Sequence, residues 1–201
     1  METAQTTRKI KTIYCGNWLC YYSLECQEES TGIVFKDYEC LKRTTKKKSL
    51  EYDALTIVPF FKCSDNSKKK VLLIAEYRPP VQSFVLEFPA GLAETENCLD
   101  DIEREMLEET GYTINKEKLY ESPLITAEPR LFEITAKIFV VEIDGNDERN
   151  KNPKQMLEQE ENIKIHLIDW DSNFLTNVKN LAEEKKYLIH DKVYFLGSGM
   201  N

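Results

Sequence analysis

The chain has 201 residues, 41% hydrophobic and 31% charged, with a formal net charge of −8. Those proportions suit one compact domain, or one domain with a small appendage, and allow an ample core. The acidic balance argues against nucleic acid or an anionic membrane as the main partner, and any phosphate-bearing ligand would have to be received by a local basic patch, a metal, or both. The cysteines are Cys15, Cys20, Cys26, Cys40, Cys63 and Cys98. None has C-x2-C spacing, and His166 and His190 are the only histidines, so no zinc site is expected. The opening METAQTTRKIKTIY carries no apolar h-region, and no apolar run nears the roughly 20 residues of a membrane span. Free thiols in a reducing compartment, the cytoplasm or also the nucleus, are the expectation.

Residues 1–50 read as a β-rich appendage. WLCYY (18–22) and GIVFKDYECL (32–41) are aromatic and β-branched, with a polar, Gly-containing break between them. The pattern alone says hairpin. Lys46, Lys47 and Lys48 are a solvated linker or a phosphate patch. Residues 51–201 form the main domain. Apolar runs at 54–62 and 71–77 have strand length and are separated by a turn-like segment. Residues 81–88 form a further strand, leading into a turn at Pro89, Ala90 and Gly91. Residues 136–143 are a strong apolar strand, 144–161 a mobile, highly charged loop, and 163–168 an alternating, half-buried strand. Residues 173–186 and 191–196 are expected as helices, and the two histidines as structural or surface residues. A mixed sheet flanked by helices follows, an α/β fold.

The central stretch is GLAETENCLDDIEREMLEETGY, residues 91–112. Leu99, Ile102 and Met106 fall on one helical face, and Gly111 suits a helix C-terminus. Glu105, Glu108 and Glu109 share a sector about 100° wide beside that face. Like charges at this spacing repel. A solvated acidic face is one reading. A hard dication seated against the carboxylates is the other, since Mg²⁺ takes oxygen ligands.

REMLEETGY (104–112) resembles the second half of the Nudix box, G-x5-E-x7-R-E-U-x-E-E-x-G-U with U apolar, at every specified position. Counting back, Glu96 falls on the first glutamate, while Gly91 is one residue too close. EYRPPVQSFVLEFPAGLAE (76–94) and CLKRTTKKK (40–48) extend the likeness to the ADP-sugar pyrophosphatase branch of the family, over residues 18–193.

The resemblance implies a Nudix α/β/α sandwich with a small N-terminal sheet that helps form a homodimer. It implies Mg²⁺-dependent cleavage of an ADP-sugar, chiefly ADP-ribose, to AMP and ribose 5-phosphate, with Mn²⁺ as a substitute metal. Nucleic acid and membrane are not expected as partners. The implied metal ligands are Ala90 (through its carbonyl), Glu96, Glu105, Glu108 and Glu109, with Arg104 orienting a carboxylate. The general base falls among Glu158, Glu160 and Glu161, and the alignment of the strand at 163–168 favours Glu161. Arg43, Arg78, Leu92 and Glu133 correspond to substrate contacts. Trp18 and Tyr38 match two aromatics that sandwich adenine across a dimer, and either is otherwise core. Ala127, Glu128, Pro129 and Arg130 depart from the family's Pro-Gly loop. The alternatives are hydrolysis of other nucleoside diphosphate derivatives, oxidised nucleotides included, and a catalytically weak ADP-ribose-binding scaffold.

Overall fold

In the computed structural model the chain is described over residues 8–45, 47, 49–62 and 68–199. Lys46 and Lys48 of the lysine run, and Cys63, lie outside the described residues. The chain divides into two compact units: Met1–Ala54 with Leu124–Ala136, and Leu55–Pro123 with Lys137–Asn201.

The first unit is built on an antiparallel meander of β1 (Arg8–Cys15), β2 (Leu19–Gln27) and β3 (Val34–Arg43). The expected hairpin is β2–β3, and β1 adds a strand that the residue pattern did not announce. Every residue of β1 is exposed, so its sequence has no buried face to reveal. Tyr22, Cys20 and Cys40 are buried. The Tyr22 hydroxyl donates to Glu133, which also forms an ion pair with Arg8 at 2.9 Å.

The free-thiol expectation is corrected at Cys15 and Cys20, which form a disulfide with Cα atoms 4.1 Å apart. Gly16 N–H donates to Leu19 C=O at 2.8 Å across the β1–β2 turn. The next pair outward, Cys15 and Cys20, is therefore the non-hydrogen-bonded pair, where facing side chains come closest. Spacing along the chain could not show this, because the hairpin register sets it. Cys26, Cys40 and Cys98 are free. The bridge closes a sequence separation of only 5, so loop entropy gives it about 2 kcal/mol. Urea unfolding with and without dithiothreitol should show a loss of that order, and Cys15→Ser should match the reduced protein and ignore the reductant.

The second unit carries the large sheet. In chain order come β4 (Ala54–Lys62), β5 (Lys70–Arg78), β6 (Ser83–Glu87), β7 (Ala90–Leu92), α1 (Cys98–Thr110) and β8 (Asn115–Glu121). After β9 (Ile125–Thr126), which belongs to the first unit, come β10 (Thr135–Asp144), β11 (Ile163–Asp169), α2 (Phe174–Lys185), β12 (Leu188–Ile189) and α3 (Asp191–Ser198). The strand order is β12-β6-β5-β4-β10-β8, with β11 on β5 and β7 on β4. Most pairs are antiparallel and β12–β6 is parallel, so the sheet is mixed. The expected strands and C-terminal helices are all present.

Strand β5 is the hub. It pairs with β11 from Lys70↔Asp169 to Glu76↔Ile163. Its other edge is divided: β4 takes Lys70 and Val71, and β6 takes Ile74 to Arg78. The sheet therefore forks, and the acidic residues that matter below lie on the β5 and β6 arms. Alternate residues of β5 face opposite sides. Val71, Leu73 and Ala75 pack in a core with Phe174 and Val178 of α2 and Val193 of α3. Leu72 and Ile74 are also fully buried, so both faces of β5 are covered, as expected for a central strand between helical layers. No helix among the described residues is long and apolar enough to cross a membrane.

Residues 144–161, expected as a mobile, charged loop, are docked on α1 at Gln155 and Met156. Gln155 Nε2 donates to the Glu109 carbonyl at 2.6 Å and to the Ile163 carbonyl at 3.2 Å, and Met156 N–H donates to the Glu108 carbonyl at 2.9 Å. These bonds satisfy carbonyls that the end of α1 leaves without helical partners. Gly111 makes the close seating possible. Its φ is +71°, and a Cβ there would strike the backbone of Lys154.

Candidate active site

Helix α1 presents the central acidic residues. Asn97 caps it, accepting from Leu99 N–H at 3.3 Å, and Asp100 and Asp101 suit the positive end of the helix dipole. Ile102 and Met106 are fully buried and fix the helix's rotation. That rotation also buries Glu105 and Glu109, one turn apart, leaving 8% and 5% of their surfaces exposed. A solvated acidic face is therefore excluded for these two carboxylates.

Desolvation pushes the Glu105 carboxyl up to about 7, against the opposing pull of Arg104. It pushes Glu109 up to about 9, with further increments from the charges of Glu105, Glu76 and Glu161. Ala90 N–H donates to Glu109 at 3.2 Å. Gly91 lies so close to Glu105 that an added Cβ would collide with the carboxylate. A side chain at Gly91 would therefore displace the Glu105 carboxylate.

Arg104 spans the edge of this cluster. It pairs with Glu105 at 2.8 Å and Glu108 at 3.1 Å, and donates to the Leu92 carbonyl at 3.3 Å. It thus contacts two of the carboxylates that it was expected to orient. Glu108 is half-buried on the Arg104 side. Glu96 is not brought to the cluster: it is exposed, in the turn before the Asn97 cap. That short turn is instead held by Asp101, fully buried, which accepts from the Glu94 and Thr95 amides at 3.0 and 3.1 Å.

Two acidic residues from elsewhere, Glu161 and Glu76, approach α1, and Glu87 lies beside Glu76. Glu161 precedes β11 and its charge acts on Glu76, Glu105 and Glu109. It is half-buried, whereas Glu158 and Glu160 are exposed. Glu76 and Glu87, on the two arms of the fork, were not singled out from sequence. The signal available was an acid closing an otherwise apolar strand. Arg78 joins them, at 2.8 Å to each. The predicted substrate arginine is thus held in a two-carboxylate fork.

The remaining predicted contacts lie in the first unit. Trp18 is 66% exposed and Tyr38 38%, with the Tyr38 hydroxyl donating to the Arg130 carbonyl at 3.0 Å. Neither is core. Trp18 adjoins the Leu19↔Arg43 end of the sheet, and Tyr38 sits five residues back along β3, roughly 16 Å at strand rise. One chain therefore does not bring the two aromatics onto one ring. Arg43 Nε is buried without a hydrogen-bond partner among the described residues. Glu133 is committed to Arg8 and Tyr22. His190 caps α3, accepting from Lys192 N–H at 3.3 Å.

Among the described residues, no three His, Cys, Asp or Glu side chains already converge on a single metal position. The donor chemistry nonetheless fits a hard divalent cation. Two stacked, desolvated carboxylates whose proton affinities are raised by burial and mutual repulsion are relieved by such an ion.

The chain that carries this buried carboxylate pair, on the helix after a glycine turn, is similar to known hydrolases. No protein-family model matches the chain. It is 31% identical to an uncharacterised Nudix hydrolase of Schizosaccharomyces pombe, over 84% of this chain and 76% of that protein. It is 31% identical to the ADP-sugar pyrophosphatase of Mus musculus, over 81% and 72%. A crystal structure of an ADP compounds hydrolase matches with a TM-score of 0.59 at 17% identity, covering 90% of this chain and 85% of that one. The chain belongs to the Nudix hydrolase family. Across its curated relatives it spans between 62% and 76% of the relative's length.

Proposed function

We propose that the protein hydrolyses the diphosphate bond of ADP-sugars, chiefly ADP-ribose, to a nucleoside monophosphate and a sugar phosphate, with Mg²⁺ as cofactor and Mn²⁺ as substitute. The observation that carries the reading is the buried Glu105–Glu109 pair, set in REMLEETG and approached by Glu161. The names of the mouse and yeast relatives, ADP-sugar pyrophosphatase and ADP-ribose pyrophosphatase, support the substrate class. Ala90, Glu105, Glu108 and Glu109 would hold the cation, with Glu96 reaching it only if its turn rearranges. A bound dication would neutralise charge on the diphosphate and favour ionisation of the attacking water. Arg104 keeps Glu105 and Glu108 oriented. Glu161 accepts the water's proton, and Arg78, with Arg43 and Leu92, contacts the substrate. Glu133 keeps its place among the substrate contacts only if it leaves Arg8 and Tyr22. AMP release across ADP-ribose, ADP-glucose, NADH and oxidised deoxynucleoside diphosphates, ranked by kcat/KM with and without Mg²⁺, tests the reading. Binding of ADP-ribose without turnover would indicate the scaffold alternative.

The same proposal assigns Trp18 and Tyr38 to adenine, one from each chain of a homodimer. Their separation along one sheet and their exposure support that division. Stacking on a base contributes about 1–3 kcal/mol, roughly 5- to 150-fold in affinity. Trp18→Ala should therefore raise KM within that range and leave kcat nearly unchanged, because adenine lies far from the breaking bond. Heterodimers of Trp18→Ala with Tyr38→Ala chains should retain one intact site. Two equally damaged sites would refute the division between chains.

A further inference from the structure

Lysine 192 stands where a helix least favours a cation. It lies in the first turn of α3, at the positive end of the helix dipole. It is also half-buried, and desolvation lowers its proton affinity while Asp191 and Glu87 raise it. Such a placement costs stability unless a nearby negative charge offsets it.

The surroundings fix the residue closely. Strand β12 pairs in parallel with β6, Ile189 opposite Leu86, and His190 N–H donates to the Leu86 carbonyl at 3.0 Å. The start of α3 is thereby held in register beside Glu87. Lys192 Nζ donates to the hydroxyl of Thr56, buried on β4, at 2.9 Å. A small cavity of about 20 Å³ is lined by Thr56, Glu87, Phe88, Ala90, His190 and Lys192. Lys192 and Glu87 thus line one small cavity, which also touches the Ala90 turn. Glu87 in turn holds Arg78 Nε at 2.8 Å, and Glu76 holds the η nitrogens of the same guanidinium.

We propose that Lys192 is a positioning residue of the active site: its ammonium, tethered by Thr56, balances Glu87 and so sets how Glu87 holds Arg78. Without that charge, Glu87 is left buried with Arg78 as its principal counter-charge. Arg78 is then drawn towards the strand fork and away from an incoming phosphate. The consequence for substrate rests on the reading of Arg78 given above, whereas the positioning itself does not.

The test uses the full-length protein and two readouts. The first is the Nε–H resonance of Arg78 in ¹⁵N-labelled protein, assigned by its loss in Arg78→Lys. In Lys192→Met it should shift and exchange more slowly with solvent, because Glu87 holds the Nε–H more tightly, and in Lys192→Arg it should return towards the wild-type position. The second readout is steady-state kinetics with ADP-ribose and saturating Mg²⁺. Lys192→Met should raise KM about tenfold with kcat within about twofold, since an orienting charge for a binding group is lost and no reacting group is touched. Lys192→Arg should recover most of the KM. Adding Lys192→Met to Glu87→Gln should change nothing further, because the residues act in series. Thr56→Val keeps the charge, loosens its tether and should give a smaller shift in the same direction. It also serves if Lys192→Met does not fold. An unmoved Arg78 signal in folded Lys192→Met, or in Thr56→Val where that variant must stand in, overturns the inference whatever the substrate. Additive losses in the Glu87→Gln background overturn it too. A moved signal with unchanged KM upholds the positioning and removes Arg78 from the substrate contacts.

Discussion

Replacing Glu109 by glutamine should lower kcat on the order of 10²-fold or more at saturating Mg²⁺ without harming the fold, because it removes one donor oxygen of the cation's ligand set. The amide keeps the side chain's shape and still accepts from Ala90 N–H, which donates to Glu109 at 3.2 Å. It removes a charge that burial and the neighbouring Glu105 both disfavour. Stability should therefore hold or rise. The pH dependence gives an independent check. The Glu109 carboxyl is raised from 4.5 to about 9 in the folded protein. The protonated form is thus the one the fold prefers. Its contribution is full below the unfolded value and is lost as pH rises through the folded one. In EDTA, the wild-type Tm should fall between pH 5 and pH 9, and in Glu109→Gln the fall should be shallower. Mg²⁺ should raise the wild-type Tm more at pH 8 than at pH 5, since it competes with protons, and should do less for the variant. A folded Glu109→Gln with near wild-type kcat would remove Glu109 from the site.

How much of this was legible in the sequence depended on whether the signal was local. Helix α1 was, because Ile102 and Met106 repeat at helical spacing and Gly111 ends the run with positive φ. Strands β4, β5 and β10 were, because apolar runs of that length must be buried, and β11 was, because its apolar residues alternate. Strand β1 was not: RKIKTIYC is exposed along its whole length, so pairing with β2 holds it rather than a buried face. Strand β8, NKEKLYE, buries no residue fully and hid for the same reason. The segment at 144–161 was misread because charge suggested solvation, whereas Gln155 and the Met156 amide dock it on the carbonyls of α1. Within the site, Glu105, Glu108 and Glu109 were visible as one helical sector, but their separation was not. Only the packed helix shows Glu105 and Glu109 buried and Glu108 turned to Arg104. Glu76, Glu87 and Lys192 come from three elements and meet only through the fork in the sheet and the β6–β12 pairing. No spacing rule joins positions so far apart. The Cys15–Cys20 bridge was hidden likewise, by a register that exists only once the hairpin has formed.

Among the three loop glutamates the proposed base is Glu161, and Glu161→Gln is expected to have the other large effect. Ile163 opens β11 opposite Glu76, and Glu161 lies two residues before it. That places Glu161 on the side of the strand end where its charge reaches Glu76, Glu105 and Glu109. Its backbone N–H donates to the Glu158 carbonyl at 3.1 Å, and its carboxylate accepts from the Glu158 amide at 2.8 Å. This local ring fixes the side chain while Glu158 and Glu160 stay exposed. A proton acceptor acts mainly in the transition state, so Glu161→Gln should reduce kcat about 10²- to 10⁴-fold with little change in KM. Glu160→Gln and Glu158→Gln should both stay within about twofold, as expected for exposed charges that touch no reacting group. A crippled Glu160→Gln beside an active Glu161→Gln would move the base by one residue. Full activity in all three variants would show that the water's proton leaves by another route, and the carboxylates before β11 would then serve only to hold the segment on α1.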